Sequence, residues 1–266
     1  MTPSATVDRK REIERLEREL ARPMGQAIAE WGLIESGDRI LVGVSGGKDS
    51  YTLLHLLRRF QRRAPVSFDF VAVHLDQAHP GFDAGRIRAH LEREGFPHRI
   101  IRKDTYSLVI ERIADGDTTC SLCSRYRRGI LYNQAEELGC NKVALGHHRD
   151  DALQTFLLNA FFSGRIAAMP ARLETDDGRF TVIRPLIYAA EEEIAQFAAL
   201  KEFPIEPCRL CTETERDTVG QLLRRLTERN PKVPSHLLAA LQNVVPSHLL
   251  DRSLLERTSR HPASTD

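Results

Sequence analysis

The chain has 266 residues, 28% of them charged, and a formal net charge of +1. This length accommodates one full domain with extensions, and the even charge balance excludes a protein that binds polyanions through bulk charge alone. The first eleven residues contain no apolar core of the signal-peptide type, and apolar runs of about 18 residues are absent. We therefore expect a cytoplasmic protein without a membrane partner.

The predicted elements alternate along most of the chain. Apolar residues at helical spacing predict an amphipathic helix from Asp8 to Trp31. The predicted strands lie at 39–44, 68–75, 98–102, 142–145 and 181–183, and the helices between them at 51–60, 84–94, 107–113, 125–138 and 150–162. Beyond Pro185 the pattern predicts helices at 189–200 and 218–229 and then a proline-punctuated tail at 231–246.

Repeated strand–helix–strand units predict an α/β fold in which a doubly wound parallel sheet carries helices on both faces. Ligands of such sheets bind beyond the carboxyl ends of the strands. We expect three parts, namely an N-terminal helical segment at 1–35, the α/β domain at 36–188 and a C-terminal helical region at 189–266.

A turn rich in glycine and serine follows the first predicted strand. Ser45-Gly46-Gly47-Lys48-Asp49-Ser50 opens a helix, so its glycines allow close approach to a phosphate and the helix start offers N–H groups to the anion. Lys48 can neutralise phosphate charge, and the two serine hydroxyls can donate hydrogen bonds. The spacing is not that of a GxxxxGK P-loop. It resembles the PP-loop of ATP pyrophosphatases, so we expect ATP to be cleaved next to its α-phosphate.

Carboxylates follow several of the predicted strands. Asp76 ends the second strand, and Gly146-His147-His148-Arg149-Asp150-Asp151 follows a later one. Hard oxygen ligands suit Mg²⁺ bound to phosphates. The predicted catalytic residues are Lys48, Asp49, Asp150 and Asp151, and the predicted nucleotide-binding residues are Ser45, Gly46, Gly47, Lys48, Asp49, Ser50, Asp76 and Gly146.

Each of these carboxylates also has a second interpretation. Asp49 is placed where a carboxylate stabilises a helix start. Asp76 fits a capping role equally well. The adjacent histidines and aspartates of residues 146–151 also suit a transition metal, although the phosphate loop favours Mg²⁺.

Four of the five cysteines form two CxxC pairs, Cys120 with Cys123 and Cys208 with Cys211. In a reducing compartment this spacing indicates a metal site rather than disulfides. Four thiolates suit structural zinc, and three thiolates with an open position suit an iron–sulfur cluster. The spacing does not separate these two. Cys140 stands alone before an apolar strand and is expected to be a small core residue.

Three further segments carry a specific resemblance. CSLCSRYRRG at 120–129, GHHRDD at 146–151 and NVVPSHL at 243–249 together resemble the tRNA 2-thiocytidine biosynthesis family, within the PP-loop ATP pyrophosphatase superfamily. The resemblance implies a sulfurtransferase that replaces the C2 oxygen of cytidine 32 in tRNA by sulfur. It also implies the use of ATP, Mg²⁺ and a [4Fe–4S] cluster.

The resemblance extends to ligands and partners. It implies that Cys120, Cys123 and Cys208 hold the cluster, and it leaves Cys211 as a bystander or a sulfur carrier. The acidic segment 212–216 departs from the family pattern, which is more neutral and contains glutamine. The implied partners are tRNA, bound at its anticodon loop, and a cysteine desulfurase or another sulfur donor, with a homodimer as the family's usual state.

Basic side chains cluster at 58–63, 99–103 and 125–128. Such local patches are what phosphate neutralisation on RNA needs, although a solvated helix face explains them as well. Tyr126 either stacks on an extruded anticodon-loop base or belongs to the core.

The resulting hypothesis is a two-step exchange. The C2 oxygen of cytidine attacks the α-phosphorus of ATP, and sulfur then displaces AMP from C2. The alternatives are another PP-loop tRNA modifier, such as a uridine thiolase or a lysidine synthetase, and a zinc-bound RNA-binding module without catalysis.

Overall fold

A twisted sheet organises the chain in the computed structural model, which describes residues 3–113, 119–206 and 215–253. Five of the six strands in the described residues are parallel, and the order across the sheet is β3-β2-β1-β4-β6-β5. The strands are β1 (Arg39–Val44), β2 (Asp69–Asp76), β3 (His98–Arg102), β4 (Lys142–Ala144), β5 (Arg172–Glu174) and β6 (Thr181–Ile183). The predicted α/β class and the doubly wound parallel arrangement are confirmed.

Helices join the strands and extend the fold at both ends. They are α1 (Pro3–Trp31), α2 (Lys48–Gln61), α3 (Ala84–Arg93), α4 (Tyr106–Ile113), α5 (Thr119–Glu137), α6 (Arg149–Phe162), α7 (Glu191–Lys201), α8 (Glu215–Arg229) and α9 (Val233–Gln242). No helix in these described ranges is long and apolar enough to span a membrane.

Alternate residues of β1 face two different cores. Ile40 and Val42 pack in the larger apolar cluster, together with buried side chains of α1, α2 and α7. Leu41 points the other way and packs in a second cluster with Leu131 of α5. Because successive strand residues point to opposite faces, this division means that helices cover both sides of the sheet. Cys140 is buried in the second cluster, which confirms its predicted role as a core residue.

The sheet reverses its winding beside β1. The chain builds outward from β1 through β2 and β3 on one side, and through β4 and β6 on the other. The loops that leave β1 and β4 therefore diverge and open a crevice at the carboxyl edge of the sheet, which is where ligands bind in such folds.

Three local features differ from the sequence-based expectations. β5 is an antiparallel edge strand that the pattern did not predict, because its three residues are all exposed and form no apolar run. The first cysteine pair lies inside the first turns of α5 and does not precede a helix. The proline-punctuated tail contains α9, with Pro234 near its start, where proline is tolerated.

The C-terminal helices attach to the α/β core through α6. Leu153 and Leu157 of α6 form a small apolar cluster with Val219 and Leu223 of α8, and leucines of α9 pack against it. The boundaries predicted at residues 35 and 188 remain predictions, and α1 contributes fully buried side chains to the main core.

Candidate active site

The phosphate loop, Ser45–Ser50, runs from the end of β1 into the start of α2. Gly46 adopts a φ of +86°, and a Cβ there would lie 3.0 Å from Ile87, so only glycine fits the turn without strain. The Ser45 hydroxyl accepts a hydrogen bond from Gly47 N at 3.2 Å, and the Ser50 hydroxyl donates to Gly47 O at 2.9 Å. The loop is thus held open beside a helix start, whose first N–H groups have no acceptors within the helix.

Gly146, after β4, touches the backbone of the same helix start. A Cβ at this position would lie 2.9 Å from the Asp49 carbonyl carbon and 3.0 Å from Ser50 N. These are backbone atoms, so they cannot move aside as a flexible side chain can. Gly146 is therefore required for the two loops to meet.

A cavity of about 510 Å³ lies over the carboxyl ends of β1, β2 and β4. Five residues of the phosphate loop line it, namely Ser45, Gly47, Lys48, Asp49 and Ser50, whereas Gly46 is not part of the lining. Its other polar lining residues are His74, Gln77, His79, Arg127, His147, Asp151 and Glu206. Its volume and mixed lining are those of a site for a nucleotide-sized ligand.

Lys48 stands between two carboxylates. Its Nζ lies 3.0 Å from Glu191 Oε1 and 3.2 Å from Asp49 Oδ1. Burial disfavours the charged form of Lys48, but the two carboxylates outweigh this and raise its pKa. Burial raises the pKa of Asp49, and the neighbouring His148 and Lys48 offset this only in part. Asp49 is therefore a carboxylate that gains from a cation bound at the cavity.

His148 brings two carboxylates together. Its Nε2 lies 3.6 Å from Asp49 Oδ1 and 3.5 Å from Asp151 Oδ2, and its backbone N donates to Asp151 Oδ2 at 3.1 Å. Arg216, at the start of α8, holds the other oxygen of Asp151 at 3.2 Å. Asp49 of α2 and Asp151 of α6 thus converge on the cavity from different helices, and their role as hard oxygen ligands remains a prediction.

The other two predicted carboxylates lie beside the cavity and not in its lining. Asp150 Oδ2 accepts a hydrogen bond from Glu191 N at 2.9 Å and so fixes the start of α7. Asp76 Oδ1 accepts one from Ala78 N at 2.9 Å in the turn after β2, which is the capping role weighed above. Their predicted functions remain predictions.

Gln77, Cys123 and Arg127, which we call the cysteine wall, lie at another side of the cavity. Gln77 and Arg127 line it, whereas Cys123 contacts both of them and is not itself a lining residue. The buried Cys123 Sγ accepts a hydrogen bond from Gln77 Nε2 at 3.3 Å and lies 3.8 Å from Arg127 Nη2. Gln77 and Arg127 contact each other at 3.2 Å, and both line the cavity. The Cys123 sulfur is therefore approached by two N–H groups, one from the Gln77 amide and one from the Arg127 guanidinium.

The other cysteines predicted as ligands are covered only in part by the described residues. Cys120 lies three residues before Cys123 in α5, and Cys208 and Cys211 lie outside the described residues. Within the described ranges, no group of three or more His, Cys, Asp or Glu side chains is arranged to hold a metal by itself. A divalent ion near Asp49 and Asp151 would thus need phosphate oxygens as further ligands.

The basic clusters divide into structural and exposed members. Arg58 stacks on Phe96 at 3.4 Å, and Arg59 pairs with Glu17 at 3.3 Å, so both stabilise the fold. Arg125 and Arg128 are exposed on α5 near the cysteine wall. Tyr126 is half-buried and packs against a small apolar cluster that includes Cys123.

Sequence reasoning missed Glu191, Gln77 and Arg216. Gln77 directly follows Asp76 at the end of β2, and this position at a strand end is the signal that could have identified it. Glu191 and Arg216 gave no local signal, because each lies in an acidic helix start far along the chain from its partner.

The fold, the phosphate loop and the cavity at the carboxyl edge of the sheet define a protein of the PP-loop class. The PP-loop domain model matches residues 14–206. The tRNA-cytidine(32) 2-sulfurtransferase of Anaeromyxobacter sp. (strain K) is 53% identical over 94% of this chain and 89% of its own length. The enzymes of that name from Erwinia tasmaniensis and Serratia proteamaculans are 51% and 49% identical, over 92% and 99% of this chain and 80% and 87% of their own lengths. The chain belongs to the tRNA-cytidine(32) 2-sulfurtransferase family.

A solved structure supports the fold independently. The U34-tRNA thiolase NcsA from Methanococcus maripaludis, described with its [4Fe–4S] cluster, superposes with a TM-score of 0.67 over 88% of this chain and 81% of that one. Their sequences are 21% identical. At this identity the likeness concerns the fold.

Proposed function

We propose that this protein is an ATP-dependent tRNA thiolase that converts cytidine 32 to 2-thiocytidine. The observation that carries the proposal is the shared cavity, because the phosphate loop forms one side and the cysteine wall another. Activation by ATP and delivery of sulfur would then act on one bound base. Family membership supports the choice of tRNA and of cytidine.

In the first step the C2 oxygen of cytidine forms a bond to the α-phosphorus of ATP, and pyrophosphate leaves. Lys48 and the N–H groups at the start of α2 stabilise the charge that develops on the phosphates. The glycines of the phosphate loop let the backbone come close enough for these contacts. Such donors are fixed before the substrate arrives, which is why they lower the barrier.

The donor set at the cavity fits Mg²⁺. Asp49 Oδ1 is buried, and Lys48 Nζ lies 3.2 Å from it as an ion-pair contact without hydrogen-bond geometry. Asp151 approaches Asp49 across His148. Asp49 and Asp151 would hold the ion together with phosphate oxygens, and Asp150 would support them through α7. When bound, the ion neutralises phosphate charge and helps pyrophosphate leave.

In the second step sulfur forms a bond to C2, the C2–O bond breaks and AMP leaves with that oxygen. The cysteine wall fits a sulfur-based cofactor, since Gln77 and Arg127 both direct N–H groups at Cys123 Sγ. We propose Cys120, Cys123 and Cys208 as ligands of a [4Fe–4S] cluster, which supplies an iron open to a sulfur ligand when bound. Arg127 also lines the cavity and would orient the activated base.

The RNA partner would approach over α5. Arg125 and Arg128 are exposed there, and contacts of such arginines with phosphates would make binding depend steeply on salt. The anticodon loop is single-stranded, so its cytidine can turn outward into the cavity. We further propose Asp76 as a nucleotide contact, a cysteine desulfurase or another sulfur donor as a partner, and a cytoplasmic homodimer.

The proposal is tested by nucleoside mass spectrometry of tRNA from cells that lack the gene. We expect 2-thiocytidine to disappear and to return with the wild-type gene, but not with Cys123→Ser. Unchanged 2-thiocytidine in the deleted strain, with no second enzyme of this family encoded, would refute it. Protein purified without oxygen should be brown; a colourless zinc protein would favour the non-catalytic RNA-binding alternative.

A further inference from the structure

A carboxylate outside the cavity holds the lysine of the phosphate loop. Lys48 lines the cavity, and its Nζ contacts Glu191 Oε1 at 3.0 Å, whereas Glu191 is not part of the lining. An anion next to a phosphate site opposes phosphate binding, so its presence there needs a functional reason. Asp49 is a proposed Mg²⁺ ligand. The Glu191 side chain, in contrast, contacts only Lys48 among the described ion pairs.

The position of Glu191 is built into the fold. Its backbone N donates to Asp150 Oδ2 at 2.9 Å, and Arg149 N donates to Ala189 O at 3.0 Å, so the starts of α6 and α7 are tied together. Asp150 belongs to the GHHRDD segment at 146–151, which also supplies Asp151. The backbone of Glu191 is therefore fixed relative to the site, which keeps its side chain within reach of Lys48.

Phosphate oxygens and Glu191 need the same ammonium group. When the cavity holds pyrophosphate, its oxygens compete with Glu191 for the charge and the N–H donors of Lys48. When pyrophosphate leaves, Glu191 recovers the lysine. The Lys48 and Glu191 side chains are 26% and 44% exposed, so the competition is modest and lowers pyrophosphate affinity about two- to fivefold.

We propose that Glu191 is a positioning residue that competes with pyrophosphate for Lys48 and thereby speeds product release, an inference that rests on the proposed function. It acts through Lys48 and is not itself part of the cavity lining. Glu191 thus keeps the nucleotide-free loop charge-balanced and limits inhibition by the product.

The test is calorimetric titration of the full-length protein with magnesium pyrophosphate. Glu191→Gln should bind it about two- to fivefold more tightly than the wild type, and pyrophosphate should inhibit turnover more strongly by a similar factor. The matched control is Glu192→Gln, which removes the same charge from the same helix turn, where Glu192 is exposed and contacts Gln196. This control should bind like the wild type.

A double-mutant cycle with Lys48→Met separates competition from a general charge effect. The gain from Glu191→Gln should vanish in the Lys48→Met background, and Glu191→Asp should retain most of the wild-type affinity. Equal affinities of Glu191→Gln and Glu192→Gln, weaker binding by Glu191→Gln, or a gain that persists without Lys48 would each overturn the inference while leaving the proposed function intact. A wild-type protein that binds neither ATP nor pyrophosphate would overturn both.

Discussion

The phosphate loop and the cysteine wall face the same cavity but are built in opposite ways. The loop is six consecutive residues whose shape is fixed by glycines, hydroxyls and the start of α2. The wall joins side chains that are 46 to 50 residues apart, from the end of β2 and from α5. The loop should therefore tolerate little change in its backbone, and the wall little change in its side chains. The two predicted half-reactions should also be separable by mutation.

The largest effects should come from one residue of each region. Lys48→Met should lower the rate of ATP-dependent adenylation about 100- to 1,000-fold, because a preorganised charge on the transition state is lost. Cys123→Ser should abolish thiolation yet leave ATP affinity within about twofold, since Cys123 is not a lining residue. Nucleotide titration and thiolation assays on both variants check this separation. If Cys123→Ser also lost ATP binding, the two regions would not be independent.

Adding a methyl group at Gly146 should displace the backbone at the start of α2, where the phosphate loop ends. In Gly146→Ala the new Cβ meets backbone atoms at 2.9–3.0 Å, so the helix start has to shift and ATP affinity should fall about tenfold or more. Gly129→Ala is the control, because a Cβ there meets nothing within 4 Å, and alanine in a helix should be neutral or stabilising by up to ~1 kcal/mol. Equal ATP affinities of the two variants would contradict the close contact.

Low pH should destabilise the fold through a pair of buried histidines on α2 and α3. His55 of α2 and His90 of α3 are buried with their Nε2 atoms 3.4 Å apart, and burial lowers the pKa of His55 to about 2 and that of His90 to about 4. The unfolded chain takes up protons below pH ~6.5, where the folded protein does not. The free energy of unfolding should thus fall as the pH decreases from 6.5 towards 4.

Thermal unfolding between pH 7 and 5 measures this effect. His90→Gln should reduce the acid-induced loss in the free energy of unfolding by roughly 1–2 kcal/mol. His236 is exposed, so His236→Gln should leave the pH dependence unchanged. The same slope in the His90 variant and the wild type would show that the histidine pair does not cause it.

The smallest effect concerns the link between α8 and the cavity. Arg216 and Asp151 are partly exposed, at 43% and 22%, so a double-mutant cycle of Arg216→Gln and Asp151→Asn should give a coupling of only ~0.5–1 kcal/mol in ATP binding. Arg225→Gln, on an exposed position of the same helix, is the control and should show no coupling. A coupling of zero would mean that Arg216 does not position Asp151.

The contrast between the local contacts of the loop and the distant contacts of the wall explains which features could be predicted from the sequence. The strands and the phosphate loop were predictable because their signals are local, as in the apolar run of β1 and the glycines at 46 and 47. β5 was not, since an edge strand of three exposed residues has no apolar pattern. Gln77 and Glu191 were not predicted, because their partners, Cys123 and Lys48, are distant in sequence. Each pair comes together only after the sheet forms.

The account is tested most directly by following the oxygen that sulfur replaces. tRNA carrying ¹⁸O at C2 of cytidine 32 would be thiolated with ATP by the protein purified without oxygen, and the released AMP and pyrophosphate analysed by mass spectrometry. If adenylation at the phosphate loop precedes exchange, AMP carries the ¹⁸O and pyrophosphate does not. Thiolated tRNA accompanied by unlabelled AMP would contradict the account.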